Sequence, residues 1–368
     1  MKKVLFASNN LNIGGMEKSL VSLLNAFDFD KYDVTLLLEN KKGILLNELN
    51  PKIKVEEYKL SYFRIAIVRK FINYTHRLFW KFKNNNKYDY SCCYATYSRL
   101  CNVLARIASN NNSLYVHSNY YEYFNHNKKQ IKDLFDELNI DKFSSVVFVS
   151  NESKQGVLTV YPNLNDKFHV INNIFDYSKI DKLKDKKVSY KKSNKKVLLF
   201  VGRLEEESKR LTRLINAINI VKDFTQKFEL LIVGGGVNEY DYKKMIKDKK
   251  LDKYIKMIGE KENPYPYYLL ADYIILVSNF EGFPVIYNEA MHLRKPLLTT
   301  IDCSDDVVNI GKDAATILEK DPIAISKVII DVINNKIEKK KINIDYNAIN
   351  KNRINKIYEL IEGENNEK

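Results

Sequence analysis

The chain has 368 residues, 45% of them hydrophobic and 29% charged, with a formal net charge of +14. That length exceeds one ordinary core and suggests a globular protein of two domains, roughly 150–200 residues each. The excess charge is local: residues 61–87 carry seven Lys or Arg and no acid, and residues 177–196 carry nine Lys against two Asp. Without a zinc-finger, basic-zipper or RNA-recognition motif, this distribution argues against a nucleic-acid partner.

Cys92, Cys93, Cys101 and Cys303 have neither Cys-x-x-Cys spacing nor a nearby His, so reduced structural thiols are expected rather than disulfides or a zinc site. The apolar run at the N-terminus stops after four residues, short of a signal-peptide core. No window reaches the roughly 18 apolar residues of a spanning helix. A cytoplasmic protein is expected.

In chain order, "KKVLFAS" reads as a strand, "NNLNIGG" as a turn, "MEKSLVSLLNAF" as a helix and "YDVTLLLE" as a second strand. This is the opening of a parallel α/β unit. The pattern continues through "YDYSCCYA", "SLYVHS", "SSVVFVS" and "FHVINNIFD". Residues 177–196 lose apolar periodicity and read as a basic linker or exposed loop. The rhythm then restarts with "KKVLLFVGRL", "RLTRLINAINIVKDF", "FELLIVGGG", "YDYKKMIKDKKL", "YIKMIG", "YIILVS", "VIYNEAMHL" and "KPLLTT". The expected division is an N-terminal Rossmann-like domain over 1–176, the linker over 177–196, a second such domain over 197–345, and a closing amphipathic helix and tail over 346–368. Parallel α/β sheets bind ligands at the carboxyl ends of their strands, which places the expected site between the domains.

Several stretches at those strand ends carry chemistry. In "VGRLEEESKRLTRLI", Gly202 lets a ligand approach the backbone, Arg203 offers a planar fork and Lys209 a mobile point charge, a pair suited to a diphosphate. The alternative is two solvated surface charges. Gly14 and Gly15 lie where the first strand meets the first helix, a place where free amides favour an anion, or else form a plain turn. The "GGG" at 234–236 lacks a dinucleotide fingerprint and reads as a strand-end turn. His117 falls just past a predicted strand end, although a lone His is more often structural. In "SNFEGFPVIYNEA", Pro284 suits a first helical turn, and Gly282 lets the chain bend and expose amides. Glu281 then stands before the helix and Glu289 inside it, two carboxylates able to accept from vicinal hydroxyls of a ribose and a hexose.

Taken together and in this order, "NIGGMEKSL", "VGRLEEESKRLTRLI", "LLIVGGG", "YYLLADYIILVSNFEGFPVIYNEAM" and "KPLLTT" resemble the retaining glycosyltransferases of family four (group one). The resemblance implies the GT-B architecture, two Rossmann-like α/β/α domains facing each other across a deep cleft, the first binding the acceptor and the second the nucleotide sugar. It implies that Arg203 and Lys209 bind the donor diphosphate, that Glu289 holds the nucleotide ribose, and that Glu281 lies near the transferred sugar, beside the amides of Gly282 and Phe283. By the same resemblance Gly14 and Gly15 lie beside the phosphates and acceptor, and His117 near the sugar. The family usually shows a glycine turn and a Glu after the segment matching "KPLLTT", where this chain has "IDCSDD". The "DFD" at 28–30 is read as a turn, and neither a metal nor a cofactor is expected.

The implied activity is transfer of a hexose, with retention, from a UDP-linked donor to a glycan or lipid-linked acceptor in surface-polysaccharide or glycoconjugate assembly. Two alternatives differ in class: a catalytically silent GT-B scaffold partner of an active transferase, and a sugar-nucleotide epimerase, which would convert its donor without an acceptor. Residues 61–87 place Ile67, Phe71, Tyr74, Leu78 and Phe82 on one helical stripe among basic residues. That composition fits a helix lying on an anionic membrane surface at the inner face of the cell membrane, or equally an amphipathic helix packed on its own domain.

Overall fold

The structure is a computed structural model that describes residues 1–301, 315–337 and 346–363. The segment "CSDD", with Cys303, and residues 338–345 at the end of the expected second domain lie outside the described residues. The chain forms two compact units, one made of Met1–Phe175 with the stretch from Asn347 onward, the other of Asp176–Tyr346.

Unit 1 is a seven-stranded sheet of β1 (Lys2–Ser8), β2 (Tyr32–Leu38), β3 (Lys54–Glu57), β4 (Tyr90–Cys93), β5 (Asn112–Val116), β6 (Ser145–Phe148) and β7 (Phe168–Val170), ordered β3-β2-β1-β4-β5-β6-β7. Every pair is parallel. Between the strands run α1 (Gly15–Asn25), α2 (Ala66–Asn84), α3 (Arg99–Ala108), α4 (Tyr120–Tyr123), α5 (Lys128–Glu137) and α6 (Asn151–Leu158). Central strands are buried on both faces, which is why β1 and β2 read as continuous apolar runs. The edge strand β3, "KVEE", is mostly exposed and has no such run.

Unit 2 contains α7 (Tyr177–Leu183), β8 (Lys196–Val201), α8 (Glu206–Lys209), α9 (Leu211–Val221), β9 (Phe228–Val233), α10 (Glu239–Asp248), β10 (Ile255–Gly259), α11 (Tyr265–Leu270), β11 (Tyr273–Leu276), α12 (Val285–His292), β12 (Leu297–Thr299), β13 (Ala315–Ile317) and α13 (Pro322–Ile333). Its sheet is again all parallel, in the order β10-β9-β8-β11-β12-β13. In both sheets the order reverses beside the first strand, between β1 and β4 and between β8 and β11. Such reversals open the crevice where doubly wound folds take ligands.

The first part of the lysine-rich stretch is not a loop. Asp176 caps α7 by accepting from the Lys179 amide at 3.2 Å, and Tyr177 and Ile180 are buried. Tyr177 stacks on His292 of α12 at 4.9 Å, and Asp181 lies 3.1 Å from the same imidazole. Two buried side chains one turn apart anchor this helix, too few to show as periodicity among so many lysines.

The final helix, α14 (Tyr346–Glu362), returns to unit 1. Ile354, Ile357 and Ile361 join the core around Phe6, Leu20 and Tyr32. Tyr358 stacks on Tyr32 at 4.7 Å, and Arg353 donates to the Asn173 carbonyl at 2.6 Å. By contrast α2 turns its stripe outward: Ile67 is 80% exposed, Phe71 68% and Phe82 89%, and Asn84 is its one buried residue. Only Trp80 leans on the core, edge-on to Tyr58 at 6.2 Å. The stripe is therefore not a packing face of its own domain. No helix among the described residues is long and apolar enough to cross a membrane.

Candidate functional site

The polar constellation of unit 2 forms where β8 and β11 end. Beyond Val201 the chain passes through Gly202 and Arg203 into the single turn of α8, which carries Lys209. Beyond Leu276 it passes through Ser278 and Asn279 to Glu281, and Pro284 then caps α12 with φ −67°. Lys209 Nζ donates to Glu281 Oε1 in an ion pair whose side chains are both largely shielded from solvent. Ser278 Oγ donates to the same carboxylate oxygen at 2.6 Å. Glu289, just over one turn into α12, is buried and accepts from the Tyr268 hydroxyl at 2.5 Å. Burial, then the Glu289 charge, push the Tyr268 hydroxyl well above its ordinary range, so it remains a donor. Gly282 and Phe283 are buried between the two carboxylates in sequence.

Arg203 is exposed, 3.7 Å from Glu205. Its loop is backed by the glycines after β9. Gly234 has φ +154°, and a Cβ there would lie 1.9 Å from the Gly202 carbonyl oxygen. The Leu204 amide in turn donates to Gly235 at 2.9 Å. The "GGG" stretch thus serves as the support on which the Gly202–Leu204 backbone rests.

Unit 1 presents a different surface at the same place in its sheet. Gly14 caps α1, and the carboxylate of Glu17, three residues on, folds back against it; a Cβ on Gly14 would lie 2.0 Å from Glu17 Oε2. The position that suggested an anion therefore already has a carboxylate beside it. His117 follows β5 and lies against the rings of Tyr94 at 4.3 Å and Tyr115 at 5.7 Å. Its Nε2 is sealed from solvent with no hydrogen-bond partner, and burial brings its pKa down to about 3, against a main-chain hydrogen bond with Tyr94 that raises it. This ring is neutral at physiological pH. Beside it Ser19 Oγ and the Tyr94 hydroxyl are 2.9 Å apart. Cys92, Cys93 and Cys101 are buried, free thiols. No cluster of metal-ligating side chains occurs among the described residues.

Of the residues singled out in the sequence, Lys209 and Glu281 meet directly, Gly202 and Arg203 flank them, and Glu289 is held separately by Tyr268. Gly14, Gly15 and His117 belong to unit 1. Sequence reasoning missed Tyr268, Ser278, Arg213 and Asn279. Ser278, three residues before Glu281, and Arg213, four residues after Lys209, had a local signal in their closeness along the chain. Tyr268, 21 residues before Glu289, had none.

Comparison with known proteins bears on this constellation. The family model for glycosyl transferases group 1 matches residues 181–351, which contain Arg203, Lys209, Glu281 and Glu289. Among relatives, a capsular polysaccharide biosynthesis glycosyltransferase, CapH of Staphylococcus aureus, is 28% identical over 204 residues, 54% of this chain and 54% of its own length. An uncharacterized glycosyltransferase of Methanocaldococcus jannaschii, MJ1059, is 24% identical over 44% of this chain and 41% of its own. The matches thus span about half the length of these relatives or less. Solved structures cover more: Anabaena HepE in complex with UDP-glucose superposes with TM-score 0.75 and 18% identity over 97% of this chain and 100% of its own. A TarM variant from S. aureus, in complex with fondaparinux, α-GlcNAc-glycerol and UDP, gives 0.73 and 13% over 99% and 100%. The architecture shared with these structures is GT-B.

Proposed function

We propose that this chain is a retaining, metal-independent glycosyltransferase of family four that moves a hexose from a UDP-sugar to a glycan or lipid-linked acceptor in surface-polysaccharide assembly. The observation that carries this reading is the polar constellation at the β8 and β11 ends. One cation, Lys209, meets one carboxylate, Glu281, with Arg203 on the adjoining loop and a second carboxylate, Glu289, fixed by Tyr268. Support comes also from the capsule-biosynthesis relative and from UDP-glucose in the HepE complex.

In this reading unit 2 takes the nucleotide sugar and unit 1 the acceptor. Arg203 and Lys209 bind the diphosphate, Glu289 the ribose hydroxyls, and Glu281 with the Gly282 and Phe283 amides the hexose. As the bond from the anomeric carbon to the phosphate oxygen breaks, charge grows on the diphosphate, and preorganised cations and amides stabilise it by several kcal/mol per well-placed donor, as a rough scale. The acceptor oxygen bonds to the same face of that carbon, and its proton passes to the leaving phosphate oxygen.

We place α2 on an anionic membrane surface, because it combines an exposed aromatic and aliphatic stripe with basic residues and no acid. The protein then works at the inner face of the cell membrane. Neutralising Arg69, Lys70, Arg77 and Lys81 together should abolish binding to anionic liposomes; unchanged binding would remove the membrane from this reading.

The deciding experiment is calorimetric titration with UDP, GDP and ADP, repeated on Arg203→Ala and Glu289→Ala. UDP should bind, and both substitutions should abolish it. A folded protein that binds none of the three would overturn the transferase reading in favour of a silent scaffold.

A further inference from the structure

The donor constellation depends on two loops, and the sheet does not align them. Pairing between β8 and β11 covers only Leu198 with Tyr273 and Leu199 with Ile274, although β8 runs on to Val201 and β11 to Leu276. Past that point the strands part, and no ladder sets where α8 lies relative to the Ser278–Glu281 loop. Side chains make the connection instead. Arg213, in the first turn of α9, donates through Nη1 to the carbonyls of Val277 at 2.8 Å and Ser278 at 3.4 Å, and through Nη2 to Asn279 Oδ1 at 2.6 Å. Asn279 carries the link on, with one main-chain bond beside its side chain: its backbone N–H donates to the Ser208 carbonyl at 2.7 Å and its Nδ2 to the Glu207 carbonyl at 2.9 Å. These bonds join the α8 turn to the loop of Glu281 without using Lys209 or Glu281.

A guanidinium suits this task because its planar fork reaches several acceptors at fixed angles, where a Lys would reach one. The carbonyls it takes lie just past the end of β11; that of Ser278 also accepts from the Thr300 hydroxyl at 2.6 Å. We propose that Arg213, acting through Asn279, is a positioning residue of the donor site, setting the separation of the diphosphate-binding Lys209 from the sugar-binding Glu281. The proposal rests on the donor-site reading above.

The consequence is an energetic coupling between Arg213 and Glu281 that the sugar need not be known to measure. Without ligand, Glu281 neutralises Lys209, so a nucleoside diphosphate must compete with it. Glu281→Gln should therefore tighten UDP binding, about threefold or more on the scale of couplings between neighbours. If Arg213 sets the geometry of the pair, the gain should disappear in an Arg213→Met background, since Lys209 there no longer meets Glu281.

The test is a double-mutant cycle in calorimetric affinity for UDP, with the thermal midpoint of each variant recorded. Asn279→Ala serves as a second background, which removes the side-chain tie to the Glu207 carbonyl and the Arg213 bond to Oδ1, and leaves the main-chain bond to Ser208 and the Arg213 bonds to the carbonyls. Loss of the Glu281→Gln effect in either background, with the thermal midpoint kept, is the expected result. Effects that simply multiply in a folded background overturn the proposal, as does a fall in affinity that only tracks a fall in thermal midpoint, the mark of a structural role. If the unaltered protein binds UDP and the cycle is additive, this inference alone fails; if it binds no UDP, GDP or ADP, the donor reading has failed first and takes the inference with it.

Discussion

The two sheets share a topology and differ in what they present at their carboxyl ends. Unit 2 ends in charge: a shielded Lys209–Glu281 pair, a buried Glu289 and a network of side-chain bonds to carbonyls. Unit 1 carries rings there: His117, neutral, lies beside the stacked pair of Tyr94 and Tyr115, with a buried nitrogen that pairs with nothing. One topology thus supports both a shielded charge pair and a packed set of neutral rings at the ends of its strands. The loops decide which, because the strands beneath both are uncharged and largely buried at their carboxyl ends.

The largest effect that would break this contrast is removal of the cation. Lys209→Ala leaves Glu281 shielded and unpaired, facing an incoming diphosphate, and should weaken UDP binding by about 100-fold, as when one partner of a buried charge pair is truncated. The double change Lys209→Ala with Glu281→Ala should recover part of that loss. An unaltered calorimetric affinity in the single variant would mean that unit 2 does not bind through this pair.

Next in size is Tyr268→Phe. It deprives a buried carboxylate of its hydroxyl donor and should cost about 1–3 kcal/mol of stability, read as a lower urea midpoint with the slope unchanged. No change in the midpoint would show Glu289 reaching solvent rather than being sealed.

The smallest effect lies in unit 1. The folded pKa of His117, near 3, is below its ordinary value of 6.5, so between those values the unfolded chain takes up a proton that the folded chain does not. The stability tied to this ring is complete above pH 6.5 and is lost as pH falls toward 3. His117→Phe should therefore unfold with a midpoint less sensitive to acid over that window. An equal acid sensitivity in the variant would mean that the ring is already protonated in the fold, and the contrast between a charged end and a neutral one would disappear.

Most of this fold was legible because parallel strands buried on both faces leave continuous apolar runs, as in "VLLFV" and "YIILV". β3 was not, since an exposed edge strand such as "KVEE" needs no apolar residues, nor was α7, whose two anchors are hidden among lysines. Within the site, Glu281 and Glu289 could be found because their spacing brackets a Gly-Phe-Pro turn. Tyr268 and Asn279 could not, because their partners are brought to them by the sheet order: Asn279 bonds to residues 71 and 72 positions away. The outward stripe of α2 was undecidable from spacing alone, since a helix packed inward and one left open share the same period.

The return of α14 to unit 1 makes unit 2 an insertion within it, one unbroken stretch set between two parts of its neighbour. On a ribosome, the domain that starts first must then finish last. The second sheet can close as soon as its own strands have emerged, while Phe6, Leu20 and Tyr32 keep an uncovered apolar face until Ile354, Ile357 and Ile361 arrive. During that interval the nascent chain carries a sticky half-domain tethered to a completed one, the kind of intermediate that chaperones exist to shield.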